Sequence, residues 1–370
     1  MRRALATGML GLVLSFAAAL VDAEPLWIPG LTLVLLAAGS AAWVALAAGG
    51  VTVRRTLGAT RVVEGEPLGI VLEVNVAGLA LPAARMRDPL LAEPAPLPAG
   101  RGARVRIEVR FARRGRRRLE LSSVLVADPL GLATREVRAL PSARDDEVLV
   151  LPRIELLEST AGGGDATHLA LHARRLVGAE VQLDGIRPLR DGTPASRIFW
   201  PAIARGADPQ ERYLRADGEG QPLVVLDPRG AADEERLDDA VRAATSIAHA
   251  LAIDGGCGVL LPGDRRPTEL TGALSGWSQV HARLATVGSG GAPSLVSVAH
   301  RRGPVVYVSA RLRPALPLAL GSGHGATRML VVPGALAGRA AVFSVAGCTA
   351  YVVGGRRVPA SRRNAVGGRP

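Results

Sequence analysis

The chemistry that stands out in this sequence is recognition chemistry, and it lies in the arginine-rich residues 187–215. Guanidinium groups form paired hydrogen bonds with carboxylates or phosphates, and they stack on indole rings. The stretch predicts either a docking surface for an anion or an acidic peptide, or an internal lattice that joins two domains with Trp200 as its buried anchor. Its other aromatic residues are Phe199 and Tyr213, its acids are Asp191, Asp208 and Glu211, and its arginines are Arg187, Arg190, Arg197, Arg205, Arg212 and Arg215.

Asp227 is the candidate ligand-binding position in the C-terminal half. It ends the apolar run Pro222–Leu226, which predicts a buried strand, and ligands of α/β sheets lie beyond the carboxyl ends of such strands. Asp264 and His324 are further groups that could lie with Asp227 in the crevice of an enzyme. The sequence shows no Gly-x-Ser-x-Gly nucleophile elbow, nucleophile–base pair or paired-carboxylate arrangement. We therefore predict no catalytic residue and no cofactor.

The charge of the chain comes from arginine alone. Among 370 residues there are 45 basic ones, none of them lysine, and 33 acidic ones, which gives a net charge of +12. Without lysine, a Walker A phosphate loop and Schiff-base catalysis are excluded. Aromatic residues make up 3% of the chain, too few to favour binding of single strands by base stacking, so we expect no nucleic-acid partner. A nucleic-acid binder that uses its arginine-rich strands is the alternative. The two cysteines, Cys257 and Cys348, fit reduced thiols.

Two uncharged runs predict a transmembrane hairpin over residues 1–53. Ala4–Val21 and Pro25–Val53 are each long enough to cross a hydrocarbon core of about 30 Å as a helix. Arginine pairs flank the hairpin at residues 2–3 and 54–55, whereas the turn between the helices carries only acids. The positive-inside rule then predicts a protein of the cytoplasmic membrane with both termini and the soluble domains in the cytoplasm. The alternative is a signal peptide cleaved near Val21-Asp22-Ala23.

Residues 54–150 show the two-residue alternation of β-strands, interrupted by Gly/Pro turns. In Arg104–Phe111 the alternation is strict, so one face of the strand is apolar and the other is charged. Several short strands without a helical pattern predict a small immunoglobulin-like β-sandwich. Residues 101–118 hold nine arginines and one acid, which predicts either a solvated strand face or a contact with anionic lipid or an acidic partner.

Residues 222–354 alternate apolar strands with amphipathic helices, which predicts a mostly parallel, doubly wound α/β sheet. Residues 151–221 are predicted to be a linker followed by the arginine-rich motif, and residues 355–370 a basic disordered tail. The predicted fold class is therefore a membrane-anchored α+β protein with a two-helix hairpin, a β-sandwich and a doubly wound domain. The first helix of that domain should bury an apolar stripe formed by Leu237, Val241, Ala244, Ala248 and Leu251.

The chain resembles a bacterial family, domain-of-unknown-function family fifty-eight, in its membrane-anchored actinobacterial form. The resemblance covers nearly the whole chain. It rests on the two-helix anchor, on Asp128-Pro129-Leu130-Gly131-Leu132 at the end of the β domain, and on the core segments Gly178–Glu180, Ile186–Pro188 and Arg197–Arg205. It implies a family motif or interaction surface that includes Arg187, Arg190, Arg197, Trp200 and Arg205.

The same resemblance implies that the C-terminal part looks like a von Willebrand factor A-type domain. Metal-binding domains of that type carry Asp-x-Ser-x-Ser after the first strand, where side-chain oxygens hold Mg²⁺. Here the corresponding run is Asp227-Pro228-Arg229-Gly230-Ala231, so both serines are missing and Arg229 brings a positive charge to the position of the cation. We therefore predict no metal, with Asp227 as the remnant of a lost site.

Members of the family are often encoded beside MoxR-type AAA+ ATPases, which implies such an ATPase as the protein partner. Together with the missing catalytic groups, this predicts a non-enzymatic scaffold or interaction protein. The alternative is an enzyme or enzyme accessory in cell-envelope metabolism, with Asp227, Asp264 or His324 in its crevice.

Overall fold

In the computed structural model the chain divides after Leu151 into two compact units. The structure describes residues 2–78, 80–81, 83–141, 147–159, 183–188, 198–206, 208–214, 221–272, 274–299, 303–321 and 328–353. The first unit holds two long helices and a β domain, and the second holds an α/β domain.

The chain begins with two antiparallel helices, α1 (Arg2–Val21) and α2 (Glu24–Gly49). By length and composition both could cross a membrane, and their outer faces expose many large apolar side chains. Glycines let the two helices approach closely, because a Cβ atom on Gly11 would lie only 2.7 Å from the carbonyl oxygen of Gly30. The two uncharged runs therefore form a helical pair that could be a membrane hairpin, as the sequence predicted.

The described residues of the first unit form ten strands after the helices, in sheets ordered β1-β3-β6, β2-β10-β7 and β5-β4-β8-β9. Apolar residues of all three sheets form one hydrophobic core, which also includes Ala47 and Ala48 from the end of α2. The predicted alternation is present, since Arg104 and Arg106 face solvent while their neighbours turn inward. The strands are β1 (Val51–Leu57), β2 (Arg61–Val63), β3 (Pro67–Val76), β4 (Ala83–Arg87), β5 (Ala95–Leu97), β6 (Gly102–Arg110), β7 (Gly115–Arg118), β8 (Ser123–Ala127), β9 (Thr134–Arg138) and β10 (Glu147–Leu151).

The second unit is built on one large mixed sheet, with a separate two-stranded pair of β12 and β13. Its strands are β11 (Glu158–Ser159), β12 (Leu183–Pro188), β13 (Gln210–Leu214), β14 (Leu223–Asp227), β15 (Cys257–Leu260), β16 (Thr268–Leu270), β17 (Val305–Ser309), β18 (Arg328–Pro333), β19 (Phe343–Val345) and β20 (Cys348–Val353). Its helices are α3 (Trp200–Ala204), α4 (Glu234–Asp254), α5 (Trp277–Ala285), α6 (Val296–Ala299) and α7 (Leu318–Gly321).

The large sheet has the order β11-β19-β20-β18-β17-β14-β15-β16, and only its centre is parallel. Strands β15, β14, β17 and β18 pair in parallel, whereas both edges are antiparallel. The prediction of a mostly parallel sheet is therefore wrong at the edges. The reason is local, because β19 returns into β20 through a two-residue turn, Ala346-Gly347, in which both φ angles are positive.

Helices cover both faces of this sheet. On one face α4 buries the whole predicted apolar stripe, from Leu237 to Leu251, against β14, β15 and β17. Asp233 caps the start of α4 by accepting a hydrogen bond from the Arg236 amide at 2.7 Å. The other face packs beneath the short helices α6 and α7.

Residues 152–159, which the sequence assigned to a linker, contact the α/β domain. β11 adds to the sheet beside β19, and the Glu155 amide donates to Ser246 Oγ at 2.9 Å. The Pro152 carbonyl lies 2.8 Å from Nε2 of the buried His281. The segment therefore begins the second unit.

Candidate functional site

Asp227 lies at the carboxyl end of β14, where the strand order of the sheet reverses. β15 neighbours β14 on one side and β17 on the other, both in parallel, and Asp227 stands in register with Ser309 at the end of β17. Open α/β sheets bind ligands at this type of switch point, because the loops after the two strands leave in opposite directions. The structure thus places Asp227 at the edge of the sheet where the sequence expected it.

The Arg229 guanidinium lies directly on the Asp227 carboxylate. Its Nε donates to Oδ1 at 2.8 Å and its Nη2 donates to Oδ2 at 3.0 Å, while the Arg229 amide donates to Oδ1 at 3.2 Å. The carboxylate side chain is 4% exposed, but the Arg229 side chain is 52% exposed. The guanidinium of Arg229 therefore covers the buried carboxylate of Asp227 with one side and faces solvent with the other.

Three further side chains complete this site, which we call the switch-point cluster: Asp227, Arg229, Tyr307, Arg311 and Arg313. The Tyr307 hydroxyl donates to Oδ2 of Asp227. The guanidinium of Arg313 lies 5.7 Å from the centre of the Tyr307 ring, and its Nη1 is 3.5 Å from the hydroxyl. The exposed Arg311 packs its methylene groups on Gly230. A Cβ atom added to Gly230 would lie only 3.1 Å from Cδ of Arg311. Arg229 contacts the carboxylate directly, Arg313 contacts Tyr307, and Arg311 packs on Gly230. With three arginines and one carboxylate, the cluster is positively charged.

These contacts fix the charge states within the switch-point cluster. Burial opposes ionisation of Asp227, but the hydrogen bonds from Arg229 and Tyr307 outweigh it and hold the pKa of the carboxyl below its usual value. The hydrogen bond to Asp227 raises the pKa of Arg229. Burial and the neighbouring carboxylate raise the pKa of Tyr307, so its hydroxyl keeps its proton and remains a donor.

The lowered pKa of Asp227 makes a prediction about acid stability. A carboxyl whose pKa is lower in the folded state stabilises the fold above its unfolded pKa of about 3.9, and this contribution is lost as the pH falls through the folded pKa. We expect Asp227→Asn to be less stable than the wild type at pH 7, with the difference shrinking below about pH 4. Urea unfolding of both proteins from pH 7 to pH 2 measures this, and a constant difference at all pH values would contradict it.

The other predicted crevice groups do not add to this site. Asp264, in the loop after β15, is held by Arg283 of α5 at 2.5 Å and accepts the Leu261 amide at 3.3 Å. His324 lies outside the described residues. Among those that are described, no three His, Cys, Asp or Glu side chains are grouped so that they could hold a metal ion.

Trp200 is not the buried anchor that the lattice hypothesis required. It begins the short helix α3, and its side chain is 57% exposed. Ile203, one turn later on the same face, is 38% exposed, and Arg205 at the end of the helix also faces solvent. The prediction of a buried Trp200 is therefore wrong, because α3 turns its largest apolar side chains outward. We call Trp200, Ile203 and Arg205 the α3 surface.

The rest of the arginine-rich motif is placed only in part. The backbone of Arg187 lies in β12, opposite Glu211 of β13. The N-terminus of α3 is tied to this pair, since the Phe199 amide donates to the Gln210 carbonyl at 2.8 Å. Arg190 and Arg197 lie outside the described residues. The structure therefore brings the backbone of one motif arginine near α3.

Sequence reasoning identified Asp227 and Arg229 but missed Tyr307, Arg311 and Arg313. The signal was present, because the apolar run Val305–Val308 predicts a strand. Tyr307 lies within β17, and Arg311 and Arg313 lie in the loop after it. Parallel neighbours end at the same edge of a sheet, so the end of β17 had to lie beside Asp227 once the two strands paired. The pairing itself was the missing information.

In comparisons with known proteins, no family model matches the chain and no curated protein matches it.

Proposed function

We propose that this protein is a non-enzymatic scaffold anchored in the cytoplasmic membrane by α1 and α2, which recruits a cytoplasmic protein partner. Two helices long and apolar enough to cross a membrane support the anchor. Arginines flank the hairpin and acids occupy its turn, which supports a cytoplasmic location for both domains. The recruiting site in this proposal is the α3 surface.

The observation that carries the proposal is the exposure of Trp200 and Ile203 together. Single apolar side chains on a surface are ordinary, but an exposed tryptophan beside a second large apolar residue and an arginine has the composition of an interface hot spot. Tryptophan and arginine dominate such sites because each buries a large area when a partner covers it. A partner that covers α3 would remove this apolar area from water.

The α/β domain, in this proposal, is a von Willebrand A-type domain that has lost its metal. Its central strands support the assignment, since the first five in chain order, β14 to β18, lie in the doubly wound order 3-2-1-4-5. Arg229 occupies the Asp227 carboxylate with two hydrogen bonds, so the main oxygen ligand of the metal-binding form is already engaged. The guanidinium takes the role of a built-in cation.

The engaged carboxylate gives a prediction about metal binding. Calorimetric titration of the full chain in detergent with Mg²⁺ or Mn²⁺ should show no saturable heat, because a cation would have to displace the Arg229 guanidinium from Asp227. A micromolar site that is lost in the Asp227→Ala variant would contradict the prediction. The Asp264→Ala variant is the matched control, since its carboxylate lies in another loop of the same domain.

The partner that we propose is a MoxR-type AAA+ ATPase, on the strength of the family resemblance. A photo-crosslinking amino acid at Ile203 tests this in intact cells. It should capture the ATPase, whereas the same amino acid at the exposed Ile253 of α4 should not. Capture at both positions, or at neither, would contradict recruitment through the α3 surface.

A further inference from the structure

The base of the helical hairpin is joined to a loop of the β domain, residues 128–133, which we call the base loop. The Ala4 amide at the start of α1 donates to the Leu132 carbonyl at 3.0 Å. Ala4, Val44 of α2 and Ala133 are buried together in one small apolar cluster. These contacts fix the level of the base loop along the hairpin.

Asp128 holds the base loop in one conformation. Its carboxylate accepts the Ala133 amide at 2.6 Å and the Leu130 amide at 3.1 Å. Burial would raise the pKa of Asp128, but these bonds and one from Ser40 of α2 hold it below its usual value. The turn is closed by Gly131, whose φ of 69° suits glycine. The loop is therefore a rigid element attached to both helices.

With α1 and α2 spanning the bilayer as proposed, the base loop lies at the level of the inner boundary of the hydrocarbon core. The 26 residues of α2 span about 39 Å at 1.5 Å per residue, longer than a core of about 30 Å. The excess lies at its C-terminal end, where Ala47 and Ala48 join the core of the β domain. Ala4 is the first uncharged residue after Arg2 and Arg3, which are exposed and belong at the headgroups.

Leu130 at the tip of the base loop is 61% exposed, although it lies between Asp128, which is hydrogen-bonded to Ser40 of α2, and Leu132, whose carbonyl accepts the Ala4 amide of α1. A large apolar side chain presented at this level meets lipid rather than water. We propose that the base loop is a membrane-contacting element, with Leu130 inserted among the lipids at the boundary between headgroups and acyl chains of the inner leaflet. The proposal rests on the proposed membrane anchor, and it adds a second contact that sets the orientation of the β domain on the bilayer.

Site-specific fluorescence quenching tests this in the full chain. Both native thiols are buried, which raises the pKa of Cys257 and of Cys348 to about 12, so an introduced cysteine can be labelled selectively. The variants are Leu130→Cys, Leu140→Cys and Leu12→Cys. Leu140 is the matched control, because it is 85% exposed but follows β9, which leads away from the base loop. Leu12 lies in the middle of α1 and reports insertion of the hairpin.

Each variant carries one environment-sensitive fluorophore and is reconstituted into vesicles that contain nitroxide-labelled lipids. We expect strong quenching at positions 12 and 130 and at least a several-fold weaker quenching at position 140. Equal quenching at positions 130 and 140, with position 12 quenched, would overturn the lipid contact and leave the anchor intact. Absence of quenching at position 12 would overturn the anchor, and the lipid contact with it.

Discussion

Arg55→Ala should destabilise the β domain by about 3–5 kcal/mol, because it leaves the Asp88 carboxylate buried without its countercharge. The two side chains are buried, and Nη1 of Arg55 lies 3.4 Å from Oδ2 of Asp88. The same nitrogen donates to the Glu120 carbonyl at 2.8 Å, and Ser122 Oγ donates to Asp88 at 2.5 Å. The guanidinium thus connects β1 to Asp88, which directly follows β4, and to Glu120, which precedes β8. Alanine removes both of these contacts and leaves Asp88 with the hydrogen bond from Ser122.

Arg104→Ala provides the matched control for this prediction. Arg104 of β6 pairs with Glu73 of β3, but its side chain is 59% exposed, so the pair is screened by water. We expect a loss of at most about 1 kcal/mol. Urea unfolding of the full chain in detergent micelles measures both variants. Equal losses in the two would show that burial does not decide the strength of the Arg55–Asp88 pair.

Trp200→Ala should weaken binding of the proposed ATPase by at least about 2 kcal/mol, which is roughly 30-fold in the dissociation constant. The indole of Trp200 is more than half exposed in the free protein, so a partner that covers it removes most of the surface of this side chain from water. For the same reason we expect a melting temperature close to that of the wild type. Equilibrium binding of the purified ATPase to the full chain in nanodiscs measures the first effect, and thermal melts measure the second.

Ile253→Ala is the control for the Trp200 substitution. Ile253 of α4 is also 57% exposed and lies in the same domain, but it is outside the α3 surface. We expect this variant to keep both the wild-type affinity and the wild-type melting temperature. If Trp200→Ala lowered the melting temperature by ten degrees or more, Trp200 would be a structural anchor after all, and the α3 surface would lose its role.

The elements that could be predicted from the sequence are those with a strong pattern of their own. The uncharged runs gave the two helices, and the alternation in Arg104–Phe111 gave β6. The apolar stripe from Leu237 to Leu251 predicted α4, because its spacing places all of these residues on one face of a helix, and that face is buried. In these segments the local periodicity of the sequence and the burial of the apolar face in the fold agree on the same secondary structure.

The features that were missed depend on contacts between distant segments. The antiparallel strand β20 follows an Ala-Gly turn, which is a weaker hairpin signal than Asn-Gly or Asp-Gly. The exposure of Trp200 depends on which way α3 turns after Phe199 binds β13. Tyr307 and Arg313 join Asp227 only because β17 pairs with β14. Composition and spacing carry no information about these pairings.

The sidedness of the membrane hairpin tests the account most directly, because a cytoplasmic ATPase can reach the α3 surface only if both domains are in the cytoplasm. Reporters are fused after Arg55, which follows the hairpin, and after Glu24, which is the first residue of α2 and directly follows the turn. We expect a reporter that works only in the cytoplasm to be active after Arg55, and one that works only after export to be active after Glu24. Activity of the exported reporter after Arg55 would contradict the proposed function.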